Sequence, residues 1–373
     1  MSHYDVIIIG VGSMGVSTTT YLGMAGVKVL ALDPFTGPHD HGSHTGKTRI
    51  IRQSYYEHPS YVPLLLRSYT LWHELEELTN AKSEIFHPTG LMYIGPKNSK
   101  VIEGIKVSAE QYDLSLKKVQ QAHFNISSEW QVWLEEQAGY LDVYKAFQSY
   151  LSLFDKKTVD FRNEKLLSWK QNSRTIEIET TSGRYTGDKI IFTVGAWAAD
   201  LLKEYSLPLQ VTKQTVAWLD VENDEKYTEG NFPCWFIHDQ EKGMYYGFPI
   251  PKSKGSGLKL GLHMPGETID PNQLSRLVNT KEKNEIDYCI EKYLPELKVN
   301  QVRYETCLYT YSPDENFILD YLPDADEKVL VACGFSGHGF KFVPVIGEIL
   351  ANLVIGKANR LEFDFLKLGR FNK

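Results

Sequence analysis

The chain has 373 residues, a formal net charge of −7, and 42% hydrophobic against 23% charged residues. That length exceeds one compact core and implies two packed domains, in the composition range of a soluble globular protein. A net negative chain is a poor partner for nucleic acid, and no apolar run reaches the roughly 18 residues of a membrane span.

The start, Met1-Ser2-His3-Tyr4-Asp5, has no basic leader, so it reads as the lead-in to a strand and not as a signal peptide. Tyr4 to Ile9 is a β-branched run that enters Gly10-Val11-Gly12-Ser13-Met14-Gly15. A helix follows to about Ala25, Gly26 stops it, and Val27 to Leu32 reads as a second strand closed by Asp33. Strand, G-x-G-x-x-G, helix, strand and acid within one short unit form a dinucleotide-binding fingerprint. Gly10 permits the turn, Gly12 admits a pyrophosphate to the backbone, and Gly15 lets helix and strand pack. Asp33 suits the ribose hydroxyls of an adenosine. The fingerprint alone leaves FAD and NAD open.

Tyr61 to Thr79 reads as a helix, with Leu64, Leu71, Leu75 and Leu78 inside and Glu74, Glu76 and Glu77 outside. From Ile85 the texture changes to short alternating strands: Gly90 to Gly95, Thr215 to Val221, Tyr245 to Phe248 and Gly257 to His263. Two further strand-to-helix turns rich in glycine occur late, Gly195-Ala196-Trp197 after Asp188 to Val194, and Gly334 to Gly339 after Lys328 to Cys333. A helix containing Val343, Ile346, Ile349, Leu350 and Leu353 follows the second. The pattern implies an α/β nucleotide domain assembled from residues 1–84, 142–210 and 311–373. An α+β substrate domain with an antiparallel sheet is expected from 85–141 and 211–310. Cys234, Cys289, Cys307 and Cys333 are too far apart for a zinc or disulfide pattern, and no metal site is expected. Reduced thiols of this kind point to a cytoplasmic protein.

The motif Gly42-Ser43-His44-Thr45-Gly46-Lys47-Thr48-Arg49-Ile50-Ile51-Arg52 continues the first unit. Together with Tyr245 to Pro249, Leu258-Lys259-Leu260-Gly261, Cys307-Leu308-Tyr309 and Gly334 to Phe342, it resembles the monomeric sarcosine oxidase and N-methyltryptophan oxidase family. The resemblance extends over nearly the whole chain. It implies FAD in a glutathione-reductase-like domain, a monomer, and oxidation of an N-methyl amino acid by oxygen to the amino acid, formaldehyde and hydrogen peroxide. By resemblance, Cys307 attaches the flavin covalently, Lys259 activates oxygen, and Arg52 and Lys341 bind the substrate carboxylate. His263, Tyr246, Tyr309 and Gly337 match the substrate pocket, and Arg49 matches an arginine beside the flavin ring. Ser43, Thr48, Gly195, Trp197, Gly334, His338 and Gly339 complete the expected cofactor contacts, with Lys341 near the flavin.

The chain departs from the family pattern at Thr45 and Lys47, where histidine and aspartate are usual, and at Gln53, where a histidine is usual. The 119–139 stretch is also short. These changes bear on the substrate more than on flavin binding. Without the resemblance, Cys307 reads as a buried structural thiol, Arg52 as a surface charge and Lys259 as an outward strand lysine. With it, the even offset from Lys259 to His263 puts both on one face of a strand. Trp235 and Phe236 either narrow the pocket or belong to the core. Other secondary amines, cyclic imino acids and fructosyl amino acids remain as alternative substrates, and an NAD-dependent dehydrogenase as an alternative enzyme.

Overall fold

A computed structural model describes residues 2–35, 37–252 and 257–371. Its first sheet is built on Ser2–Ile9, whose last four residues are fully enclosed because strands flank it on both sides. Ser2–Ile9 pairs in parallel with Val29–Leu32 and with Arg184–Phe192, and Val329–Cys333 adds in parallel beyond the latter. Buried parallel strands need apolar side chains on both faces, which explains the unbroken runs of valine, leucine and isoleucine.

Helix Ser13–Met24 leaves this sheet directly from the glycine turn and packs on the late helix Val343–Ile355. The approach is close: a Cβ on Gly347 would come within 2.3 Å of Ser17 Oγ. Two of the three buried threonine hydroxyls of the first helix are satisfied within it, Thr18 donating to Met14 O and Thr20 to Val16 O. Helix Tyr61–Leu78 packs outside this pair, and two residues of the expected pattern change sides. Leu78, the last residue of the helix, is 55% exposed, whereas Glu76 is buried. The Glu76 carboxylate turns inward because it accepts the backbone N–H groups of Ile85 and Phe86.

The second sheet has the order Val299–Tyr311, Gln210–Val221, Leu258–His263, Gly243–Phe248, Cys234–Asp239, Leu91–Gly95, Gln131–Glu135 and Lys117–Lys118. Its pairings are antiparallel except for Leu91–Gly95 with Cys234–Asp239, which are parallel because the chain makes a long excursion through the first sheet between them. Helix Thr280–Tyr293 packs on this sheet through Ile286, Cys289 and Tyr293, and begins with a capping box between Asn279 and Glu282. A small sheet of Thr48–Ile51, Gly139–Asp142 and Phe86–His87 joins segments that lead to both large sheets. No helix among the described residues is long and apolar enough to cross a membrane.

Candidate active site

Two adjoining cavities lie between the sheets. The larger, of about 540 Å³, begins at Gly10, Gly12, Ser13 and Met14. A Cβ at Gly10, where φ is +88°, would strike Thr193 O at 2.8 Å, and one at Gly15 would strike Gly10 O at 2.0 Å. Gly12 by contrast faces open space, its nearest neighbour being His44 Nδ1 at 3.9 Å. The helix that starts here has no side-chain cap and no acid in its first turn, so its N-terminal N–H groups and positive dipole end are left for an anion. Asp33 stands at the far end of this wall, where Oδ2 accepts Val11 N at 2.8 Å and Oδ1 accepts Phe35 N at 2.9 Å.

The cavity continues past Ser43, Gly195 and Trp197 to Gly334, Gly337 and Gly339. Three buried polar atoms of residues in its wall, Ser13 Oγ, His44 Nε2 and Thr310 Oγ1, have no hydrogen-bond partner. A FAD molecule fits this wall: an open helix N-terminus for its phosphates, an acid for its ribose, and orphaned groups to be satisfied along its length.

The smaller cavity, of about 70 Å³, shares Arg49, Tyr309, Gly337 and Phe340 with the larger. Strand register builds one side of it. Lys259 lies opposite Phe248 and Trp218, His263 opposite Met244, and Tyr246 opposite Gly261. A Cβ on Gly261 would approach the Tyr246 hydroxyl to 2.8 Å, so glycine makes room for that ring. Lys259 and His263 both line the cavity, with Cys307 and Tyr309 added from the edge strand Val299–Tyr311, one strand further on. Phe236 lines it too, while its neighbour Trp235 points away into the core with no exposed surface.

Lys259 is 1% exposed and donates to Gly46 O, Thr48 O and the Thr48 hydroxyl. Arg49 likewise donates to backbone carbonyls, those of Ser43, Thr45 and Thr48. Among the described residues neither forms an ion pair, so both positive charges remain available to the cavity. Burial first, and then Arg49, pushes the Lys259 ammonium well below its ordinary pKa. The Cys307 thiol is pushed up by burial, while Arg49 and Lys259 oppose that rise.

Arg52 and Lys341 line the same cavity, and both lie against the Tyr55 ring. Arg52 is 1% exposed and stacked by Tyr55 at 4.0 Å and Tyr56 at 4.8 Å, and its Nη2 is paired with the Glu57 carboxylate. Burial alone would raise the Glu57 pKa, but Arg52 holds it at about 2. Arg52 Nε and Glu57 Oε2 are buried without partners. Lys341 Nζ donates to His338 O at 2.7 Å.

His338, expected against the cofactor, lines the smaller cavity instead, its ring bonded to the Tyr55 hydroxyl and to Glu315 O. Lys341 also belongs to the smaller cavity and not to the larger. Of the family departures, Thr45 lines the smaller cavity, and Lys47 turns onto the Trp218 ring at 5.9 Å. Sequence reasoning missed His39 beside Asp33, and Tyr56, Glu57, Met244 and Phe248 in the smaller cavity. The even spacing of Met244, Tyr246 and Phe248 carried a signal, whereas Glu57 in an irregular segment carried none. All four cysteines are free and buried, and no metal-binding cluster occurs among the described residues.

A nucleotide-binding cavity opening onto a small cation-lined chamber is the layout of a flavin-dependent oxidoreductase. The chain belongs to the FAD dependent oxidoreductase (DAO) family, whose model matches residues 5–353. It is 34% identical to the monomeric sarcosine oxidase of Bacillus sp. (strain B-0618), covering 99% of this chain and 96% of that one. It is 33% identical to the N-methyl-L-tryptophan oxidase of Yersinia pestis (strain Pestoides F), covering 99% of both. Solved structures share the fold: the open form of NikD, an unusual amino acid oxidase essential for nikkomycin biosynthesis, has a TM-score of 0.84 at 21% identity, covering 98% of each chain. L-proline dehydrogenase from P. horikoshii has a TM-score of 0.83 at 19% identity, covering 100% of this chain and 98% of that one. The protein is therefore an FAD-dependent oxidoreductase.

Proposed function

We propose that the protein oxidises N-methyl amino acids of the sarcosine or N-methyl-L-tryptophan type, with oxygen as acceptor. The balanced reaction takes the N-methyl amino acid, oxygen and water to the amino acid, formaldehyde and hydrogen peroxide. The observation that carries this reading is the buried Arg52, already seated on one carboxylate, with Lys341 lining the same chamber beside the cofactor cavity. A forked guanidinium is the best side chain for a substrate carboxylate, and Arg52 shows that preference in its pair with Glu57.

FAD, when bound, supplies acceptance of the hydride equivalent and its transfer to oxygen. The protein's part is orientation and electrostatics. Arg52 and Lys341 fix the carboxylate, which directs the N-methyl group toward the wall shared by Arg49, Tyr309 and Gly337. Tyr246, Phe236 and Phe248 give the charged chamber an apolar wall that limits its water. Lys259, whose Nζ donates to Gly46 O, Thr48 O and the Thr48 hydroxyl, is held in place in the chamber wall, which suits it to stabilise the negative charge that develops during oxygen reduction. Cys307 lines the chamber with Arg49 and Lys259, whose charges favour its thiolate against the effect of burial, and is the residue for covalent attachment of the flavin. The protein acts as a monomer in the cytoplasm.

The test is a visible spectrum of the purified protein followed by peroxide release on sarcosine, N-methyltryptophan, proline and fructosyl amino acids. A flavin spectrum with turnover on an N-methyl amino acid is expected. A flavin spectrum with turnover confined to proline or a fructosyl amino acid would reassign the substrate, and no flavin would overturn the reading.

A further inference from the structure

Glu135 ends the strand Gln131–Glu135 and is 1% exposed. A carboxylate buried in a sheet costs several kcal/mol unless its oxygens are fully engaged, on the order of the penalty for any desolvated ion. Here both are. Oε1 accepts the Gln53 backbone N–H, and Oε2 accepts the Ser54 backbone N–H at 3.0 Å and the Tyr93 hydroxyl at 2.9 Å. Two of these three donors are the residues that immediately follow Arg52.

The same short segment is held at its other polar groups. Ser54 O accepts Arg52 Nη1 at 2.8 Å and lies 3.1 Å from the Tyr93 hydroxyl. Ser108 donates to Tyr55 O, and Gly104 lies so close to Tyr56 that a Cβ there would meet its Cα at 2.7 Å. Before Arg52, the chain is fixed by pairing of Thr48–Ile51 with Gly139–Asp142. After it, nothing regular continues the strand, and the direction of the guanidinium depends on where Gln53 and Ser54 are tied.

We propose that Glu135 is a positioning residue for Arg52, its buried carboxylate tying Gln53 and Ser54 to the second sheet so that the guanidinium is presented to a substrate carboxylate. This rests on the reading of Arg52 given above. Glu135 touches neither cavity, so its effect passes entirely through the segment it holds.

Glu135→Gln is nearly isosteric but sets an N–H₂ against N–H donors, so at least one of them loses its acceptor. The experiment compares flavin-loaded wild type, Glu135→Gln, Arg52→Met and the double variant on sarcosine. KM is expected to rise about 10- to 100-fold in Glu135→Gln with kcat changed less than about threefold, the range set by one unsatisfied buried donor. In the double variant KM should equal that of Arg52→Met alone, because there is no guanidinium left to position. An unchanged KM in Glu135→Gln, or effects that multiply in the double variant, would overturn the proposal.

Acetate, titrated into the same four holoenzymes and followed by the flavin absorbance, gives the same comparison without turnover. Its dissociation constant should weaken in Glu135→Gln and weaken no further when Arg52→Met is added. Wild type inert toward sarcosine but showing this acetate coupling would sink the substrate assignment and leave Glu135 in its role. Should Glu135→Gln fail to hold flavin, Tyr93→Phe removes one donor from the same carboxylate. It is expected to raise the acetate constant about threefold, an effect absent on Arg52→Met. No change there overturns the role.

Discussion

The two cavities share a wall but are built by opposite means. The larger is bounded at its phosphate end by backbone: the Gly10 turn, the open face at Gly12 and an uncapped helix. The smaller is bounded by side chains from many separate segments, whose charges meet only because strand register and one irregular stretch bring them together. A backbone site binds what any dinucleotide offers, while a side-chain site can be retuned residue by residue. Chemistry and specificity therefore belong to the second, and substitutions should separate the two.

The largest separation is expected at Cys307. Cys307→Ala should release all flavin colour into the supernatant of acid-precipitated protein, whereas the wild-type pellet stays yellow. The folded variant should still take up FAD, because the walls of the larger cavity are unchanged. Colour in the wild-type supernatant would remove the covalent assignment.

Lys259→Met comes next. Removing a buried, unpaired cation from the side-chain cavity should slow reoxidation by oxygen by about 100-fold, the scale of one preorganised charge. Reduction by substrate should change less than about threefold, since binding is assigned to Arg52 and Lys341. Stopped-flow measurement of both half-reactions distinguishes this from a general loss, in which the two would slow together.

At the backbone end the effect is milder. Asp33→Asn sets an amide where two backbone N–H groups need acceptors, and weakens the ribose contact. With the Cys307→Ala background keeping the flavin dissociable, the FAD dissociation constant should rise about tenfold, the size of one or two lost charged hydrogen bonds. No change would mean that the ribose is held elsewhere.

This contrast also explains what was legible in the chain. The N-terminal unit could be read because its strand, turn, helix and acid are consecutive, so local physics defines the site. The Lys259 and His263 pair was readable for the same reason, from an even offset in one strand. Glu57 and Glu135 were not. Glu57 lies in an irregular stretch with no periodicity, and Glu135 ends a strand where an acid would ordinarily face water. Their meaning comes from partners 5 and 82 residues away, which only the folded chain supplies. Glu76 failed in the same manner, drawn inward by the N–H groups of Ile85 and Phe86.

The smallest effect concerns the buried histidines, one beside each cavity. His338 in the smaller is held at about 3, by burial first, with Lys341 adding to the effect and Glu57 opposing it. His44 in the wall of the larger is also held at about 3, by burial and then by His39 and Arg49. Both have an ordinary pKa of 6.5. Between that value and about 3 the unfolded chain binds a proton that the folded chain refuses, so stability falls as pH drops through this window. From pH 7.5 to 5.5 each histidine accounts for about 1.4 kcal/mol of that loss. His338→Gln and His44→Gln should each shrink the pH-dependent drop in the unfolding midpoint by on the order of 2 °C, and the double variant by twice as much. The comparison is between the midpoints of one variant at the two pH values, so any fixed cost of the substitution cancels. If the drop is unchanged in His338→Gln but reduced in His44→Gln, His338 contributes nothing to the acid sensitivity, and Glu57 fully offsets its burial.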